Sequence, residues 1–361
     1  MEAASLPTAR QRPRLLRGLL DRFGLIAVLL VLPVAFAIDD LRTEGDLSRL
    51  GNNLVDGLSN GAIWALVAIG YTLVYGIIEL INFAHGEVFM IGAFGALTTY
   101  LLLFQGQTAL WILPILVMGA VAASVGTAVV MERVAYRPLR NAPRLAPLIT
   151  AIGISIFLQE AIRLFYGGIP GLDLPSAKKK IVFPQIDGVT GEPFVLGSVV
   201  IQRSALFTIG CLLMAAALLW WFVNRTRTGR AMQAVSQDPD TARLMGIDVD
   251  RIIVIAFAIG AALAAIAGVA QGLMNANINF RMGFMAGLKA FTAAVLGGIG
   301  NIGGAVLGGL VLGVVEAMAT EYIPGTFGGS SWKDVWAFSL LILVLVFRPQ
   351  GLLGARVVDR A

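Results

Sequence analysis

A chain of 361 residues with 57% hydrophobic and only 14% charged positions, and a mean hydropathy of +0.82, cannot fold as a water-soluble domain, in which about a quarter of residues are charged. The net charge of +5 does not point to nucleic acid, because the arginines gather beside apolar runs and not along a polar, aromatic-studded face. A single cysteine, Cys211, and a single histidine, His85, exclude an intrachain disulfide and leave histidine metal sites and Cys/His dyads without ligands. No catalytic or metal-binding set is therefore assigned.

In lipid, a run of about 20 apolar residues satisfies its own backbone hydrogen bonds only as a helix. Apolar runs and their polar breaks predict spans near 23–38, 56–80, 86–104, 108–131, 146–166, 203–223 and 252–274. Two shorter pieces follow at 286–299 and 303–320, and a last span covers 334–347. The expected fold is an all-α polytopic integral membrane protein of about 8–10 transmembrane helices, some short or broken. Its divisions are a basic segment with a peripheral helix over 1–50, a membrane body over 51–350 and a tail over 351–361.

The first run admits two readings. Arg12, Arg14, Arg17 and Arg22 precede it and the triplet Ala35-Phe36-Ala37 ends it, a pattern that resembles a cleavable signal peptide. Counted as a retained span, it puts both termini on one arginine-rich side. Residues 10–22 hold five arginines, 132–144 four and 224–251 five, and the positive-inside rule makes all three segments cytoplasmic. Arg348, Arg356 and Arg360 place the C-terminus there as well, which requires 286–320 to cross twice or turn back. Lys178, Lys179 and Lys180 fall on the predicted outside and violate the rule. They lie in a long loop from Gly167 to Gln202 that holds four prolines and short extended stretches such as Lys180 to Phe183, suited to a connector with a small hairpin or to a docking surface for an extracytoplasmic protein.

Three polar interruptions carry the candidate sites. Around Ile81 to Glu87, the residues Asn82, His85 and Glu87 gather between two apolar runs, either lining a translocation path and fixing a helix break or forming a cytoplasmic turn wetted by solvent. In 224–251, Asp238-Pro239 fits an N-cap with proline at N1 and Gly246 a C-terminal cap. The short helix between them would show Ala242, Met245 and then Ile247 on one side, to a partner's groove or as an ordinary amphipathic surface. In the run Gly297 to Gly304, glycines at 300, 304 and 308 permit close helix packing, and Gly300-Asn301 would also suit an unwound break at mid-membrane. Glu160 and Arg163, spaced i,i+3, can neutralise one another. Lys289 and Glu316 can pair across helices or snorkel.

These residues resemble the LivH-type permeases of branched-chain amino acid ABC importers, over nearly the whole chain after about residue 50. The resemblance is carried by Gly57-Leu58-Ser59-Asn60-Gly61-Ala62, by Ile77 to Phe94, by Glu132-Arg133-Val134-Ala135-Tyr136-Arg137-Pro138-Leu139-Arg140, by Gly246-Ile247-Asp248 and by Lys289 to Gly300. It implies a permease domain over 51–350 in the bacterial inner membrane, paired with a LivM-like second permease subunit, driven by two ATPase subunits and fed by a periplasmic substrate-binding protein. The chain has no Gly-Lys-Ser/Thr phosphate loop, so it binds no cofactor itself and ATP is used by the partner subunits. Asp240-Thr241-Ala242-Arg243-Leu244-Met245-Gly246 resembles the ATPase-contacting loop of such permeases, with Asp and Thr where Glu and Ala are usual. That makes Asp240, Ala242, Met245 and Gly246 the candidate coupling residues, and Asn82, His85, Glu87, Gly300 and Asn301 the candidate path residues. Membrane lipid is the only other partner expected, and no nucleic acid is. A permease for urea or short amides is the alternative within the family. A channel or ion-coupled transporter using Glu79, Glu87 and Glu160 is the alternative outside it.

Overall fold

The computed structural model describes residues 33–354, apart from Glu44, Ile81, Asn141, Arg144, 170–173 and Pro349. The chain divides into two units, Met1–Gly51 and Asn52–Ala361. Within the first, a helix covers 33–43 (α1) and continues through Asp39, Asp40 and Arg42, beyond residue 38, where the expected first span ends. Asp40 Oδ2 accepts the Leu50 amide at 2.9 Å. Residues 23–32 of the expected first span lie outside the described residues.

The chain then runs through α2 (Ser48–Ile78), α3 (His85–Leu103), α4 (Leu113–Met131), α5 (Leu145–Phe165), α6 (Arg203–Arg225), α7 (Arg227–Gln237), α8 (Pro239–Leu244), α9 (Val249–Asn275), α10 (Met282–Gly297), α11 (Ile302–Tyr322) and α12 (Lys333–Phe347). Among the described residues, eight helices are long and apolar enough to cross a membrane, and α10 is a shorter apolar helix of 16 residues. The polar residues inside them cost little where their hydroxyls bond the carbonyl one turn back. Thr98, Thr208, Thr292 and Thr320 do so onto Phe94, Ser204, Leu288 and Glu316 at 2.7–2.9 Å.

Burial ranks the helices from centre to edge. The most apolar stretch of α2 is 83% buried and that of α9 67%, against 17% for α5 and 11% for α12, so α2 and α9 form the centre and α5 and α12 present most of their side chains outward. Small residues bring backbones together at the centre. Gly57 and Gly61 of α2 meet α11 at Val314 and Gly309, where a Cβ added at Gly61 would stand 2.8 Å from the Gly309 carbonyl. Helices α10 and α11 form an antiparallel hairpin with Gly297 against Gly304 and Ala293 against Gly308, so 286–320 doubles back on itself. This close packing is the small-residue mode that membrane helices use in place of a hydrophobic drive.

The long loop after α5 contributes to two antiparallel pairs. β1 (Ile181–Val182) pairs with β4 (Asn277–Ile278), just beyond α9, and β2 (Phe194–Leu196) pairs with β3 (Val199–Ile201) through the two-residue turn Gly197-Ser198. The stretch around Ile181 is therefore extended, as the sequence suggests, but its partner lies almost a hundred residues downstream.

The arginine-rich loops share one face. Arg137 of the 132–144 segment bonds Asp250, at the start of α9, at 2.5 Å. A groove on the same face is lined by Gly76, Ile77, Met232, Ser236, Gly300 and Ile302, which brings the end of α2, helix α7 and the α10–α11 turn together. Residues 350–354 close over that turn: Leu352 and Leu353 donate to Leu296 and Gly297 at 2.8 and 2.9 Å.

Candidate functional site

The chain leaves α2 at Ile78 and reverses through Glu79, whose φ of 51° lies in the left-handed region. Helix α3 does not begin at the surface. The His85 ring lies between Gly70, eight residues before the end of α2, and Gly260, eleven residues into α9. At 1.5 Å per residue these set it about 12–16 Å from the helix ends on the arginine-rich face. A Cβ at Gly70 would come 2.6 Å from His85 Nε2, and Tyr71 meets the ring edge-on with centroids 4.8 Å apart. Residues 82–84 are thus non-helical backbone within the protein interior, which is tolerated at membrane depth where protein covers it. A wetted turn is not what forms here.

Three named polar residues come together in this reversal. Asn82 is 2% exposed; its carbonyl accepts the His85 amide at 3.0 Å and its Oδ1 accepts the Tyr136 hydroxyl at 2.7 Å. Glu87 is wholly buried, and its Oε1 accepts from Ser155 Oγ at 2.9 Å and Gln159 Nε2 at 2.7 Å, both on α5. Its Oε2 lies against Gly283 in the first turn of α10. The carboxylate therefore stands at two helix N-termini, its own and that of α10, whose partial positive charge favours an anion. Among the described residues, Glu87 Oε2, His85 Nε2 and Asn82 Nδ2 have no hydrogen-bond partner, an unusual concentration of open polar valence in a buried region.

Gly300 and Asn301 are elsewhere. The helix break is present, with φ of 104° at Gly298 and 93° at Gly300, but it sits at the exposed end of the α10–α11 hairpin on the arginine-rich face, not at mid-membrane. Asn301 caps α11 by accepting the Gly304 amide at 3.1 Å and donates to the Leu353 carbonyl at 2.9 Å. Two full helices of 16 and 21 residues leave no unwound backbone between them at depth, so the structure does not bring this pair to the Asn82–Glu87 reversal.

In the 224–251 segment the capping follows the sequence. Asp238 accepts from the amides of Asp240 and Thr241 at 2.9 and 3.1 Å, and Gly246 has φ 84°. The bond from Thr241 Oγ1 to the Asp238 carboxylate holds that carboxyl below its usual range. The exposed face differs from the expected one. Ala242 is 3% exposed and packs inward, whereas Leu244 is 88% and Met245 78% exposed. A helix of six residues has too few turns for periodicity to fix its orientation; the short tether from Gly246 to α9 fixes it instead. Asp240 stands outside, with Arg243 at 3.1 Å.

Partners to which the sequence reading gave no site role complete both regions. Ser155, Gln159 and Tyr136 reach the reversal from other segments. Glu132–Tyr136 is a π-helical turn at the end of α4, and Arg140 from the following turn pairs with both Glu132 and Asp250. Lys289 and Glu316 do pair across helices. Trp64 Nε1 donates to Glu316 Oε2 at 3.1 Å, and Asp334 approaches Lys289 Nζ at 2.7 Å.

A centre of close-packed apolar helices around a buried polar reversal defines a multi-pass helical membrane protein, with one face built for contact outside the lipid. Residues 53–345 match the family described as "Branched-chain amino acid transport system / permease component", and the chain belongs to that family. It is 47% identical over 314 residues to the high-affinity branched-chain amino acid transport system permease protein BraD of Pseudomonas aeruginosa, covering 85% of this chain and 96% of that protein. It is 43% identical over 309 residues to the permease protein LivH of Escherichia coli K12, with coverages of 85% and 96%. It is also 31% identical over 298 residues to a probable branched-chain amino acid transport permease protein LivH of Methanocaldococcus jannaschii, with coverages of 80% and 88%.

Proposed function

We propose that this chain is a permease subunit of an ATP-driven importer for branched-chain amino acids in a bacterial inner membrane. The observation that carries the reading beyond family membership is the exposed apolar step formed by Leu244 and Met245, on a face otherwise rich in arginine. Large apolar side chains left out in a charged loop call for a protein groove to receive them. The occupant is an ATPase subunit, one of two, and Asp240, Met245 and Gly246 form the contact with it. A LivM-like permease subunit completes the passage. A periplasmic binding protein delivers solute to the opposite face, where Lys178, Lys179 and Lys180 stand exposed.

In this reading Asn82, His85 and Glu87 border the passage when helices tilt, and their open polar atoms meet the solute's charged ends. ATP closing the motor subunits would move the 224–251 loops and expose the passage to one side at a time. Vesicles reconstituted with all subunits and the binding protein should take up leucine only when ATP is supplied, and should take up urea at background rate. Urea uptake equal to leucine uptake would overturn the substrate, and leucine uptake by this chain without ATPases would overturn the class.

A further inference from the structure

A continuous set of bonds runs from the exposed step of α8 to the buried reversal. Between Leu244 and Asp250 lie only five residues, of which Gly246 turns the chain and Asp248 caps α9 by accepting the Arg251 amide at 3.1 Å. Asp250, in the first turn of α9, is thus tied to α8 by a short tether. Both of its carboxylate oxygens are taken by guanidinium groups of one short segment, Oδ2 by Arg137 at 2.5 Å and Oδ1 by Arg140. Arg140 also holds Glu132, whose side chain is wholly buried. Glu132 opens the π-helical turn and Tyr136 ends it. Tyr136 is 2% exposed, its ring packs on Phe257 of α9 at 5.5 Å between centroids, and its hydroxyl reaches Asn82.

We propose that this linkage, Asp250 to Arg137 and Arg140, on to the 132–136 turn and through the Tyr136 hydroxyl to Asn82, transmits movement of the ATPase-contacting loop to the buried polar residues Asn82, His85 and Glu87. The proposal rests on the permease reading above and names the positioning residues that reading needs. Three physical points favour transmission over mere fastening. A buried carboxylate such as Glu132 is a poor way to hold helices together, since an apolar residue of similar volume would hold them at least as firmly. A π-turn is a one-residue irregularity concentrated at functional sites, and its conversion to regular α-helix would shift the register by one residue and so turn the segment beyond it by roughly 100° about the axis of α4. The bond Tyr136 makes ends on Asn82, which is buried in backbone outside the regular helices, where the chain lacks the hydrogen-bond ladder that stiffens its neighbours.

Claims of transmission need measured coupling between sites. In the complete reconstituted transporter, Tyr136→Phe removes one hydroxyl and keeps the ring on Phe257. The expected result is ATP hydrolysis within twofold of wild type, an unchanged melting temperature of the complex, and at least a tenfold drop in leucine transported per ATP. Arg137→Gln, at a position whose side chain is 52% exposed and so cannot empty the core, should lower the same ratio about threefold. Combined with Tyr136→Phe it should add nothing further. A wild-type ratio in Tyr136→Phe, or losses that multiply in the double variant, would overturn the linkage. A wild-type complex that hydrolyses ATP and moves no leucine would instead overturn the permease reading, so the two failures are told apart.

Discussion

In the proposed ATPase contact, Leu244 and Met245 take the exposed place that Ala242 was expected to share, and the difference can be tested residue by residue. Leu244→Glu or Met245→Glu places a charge on an exposed side chain and should leave insertion and melting temperature unchanged while reducing ATPase co-purification at least tenfold. Ala242→Glu should instead lower the melting temperature, because it forces a carboxylate into a packed interior. The buried pair gives a second prediction with a built-in asymmetry. Lys289→Met leaves Glu316 buried with only the Trp64 indole, and should cost roughly 3–5 kcal/mol of stability in detergent. Glu316→Leu is milder, since Lys289 keeps Asp334, and the double variant should recover part of the loss. How far these residues could be read from the sequence depended on range. The Asp238 cap and the Glu160–Arg163 pair at 2.5 Å were legible because their partners lie within one turn. That Asn82 and Glu87 are polar residues at depth was legible from their neighbours. Their partners Tyr136, Ser155 and Gln159 were not, because no local pattern encodes a bond across 54 to 72 positions.

Among the elements, most long helices followed their apolar runs, since backbone satisfaction in lipid leaves no alternative. The reversal before α3 and the end of α10 did not follow, for one reason: a glycine or polar residue between two apolar runs marks a break without giving its depth. At Asn82 to His85 the break lies inside the protein and at Gly300-Asn301 on its surface. Packing in the centre can be probed through glycines. Gly309→Leu in α11 would drive a side chain into Ala65 of α2, where even a Cβ would stand 2.5 Å from Cα, and should abolish the folded monodisperse protein in detergent. Gly210→Leu in α6, with nothing within 4 Å of the added Cβ, should be neutral. Helix α8 also has a pH signature. The Asp238 carboxyl is lowered in the folded loop, so its cap is fully present above the unfolded value near pH 4 and is lost only as the pH falls through the depressed one. ATPase co-purification should therefore be flat from pH 8 to about pH 5 as far as this group is concerned.

For the molecule as a whole, the charge rule and the packing agree on which loops share a face. Segments 132–144 and 224–251 are joined through Asp250, and the C-terminal residues close over the α10–α11 turn on the same side. Everything proposed about ATPase contact and transmission requires that face to be cytoplasmic. With Cys211, which is buried, replaced by serine, single cysteines at 245 and at 179 can be challenged with a membrane-impermeant thiol reagent. In intact cells the cysteine at 179 should label and that at 245 should not, with the order reversed in inverted vesicles. Labelling of position 245 from outside intact cells would contradict the orientation and, with it, the coupling role of the 224–251 loop.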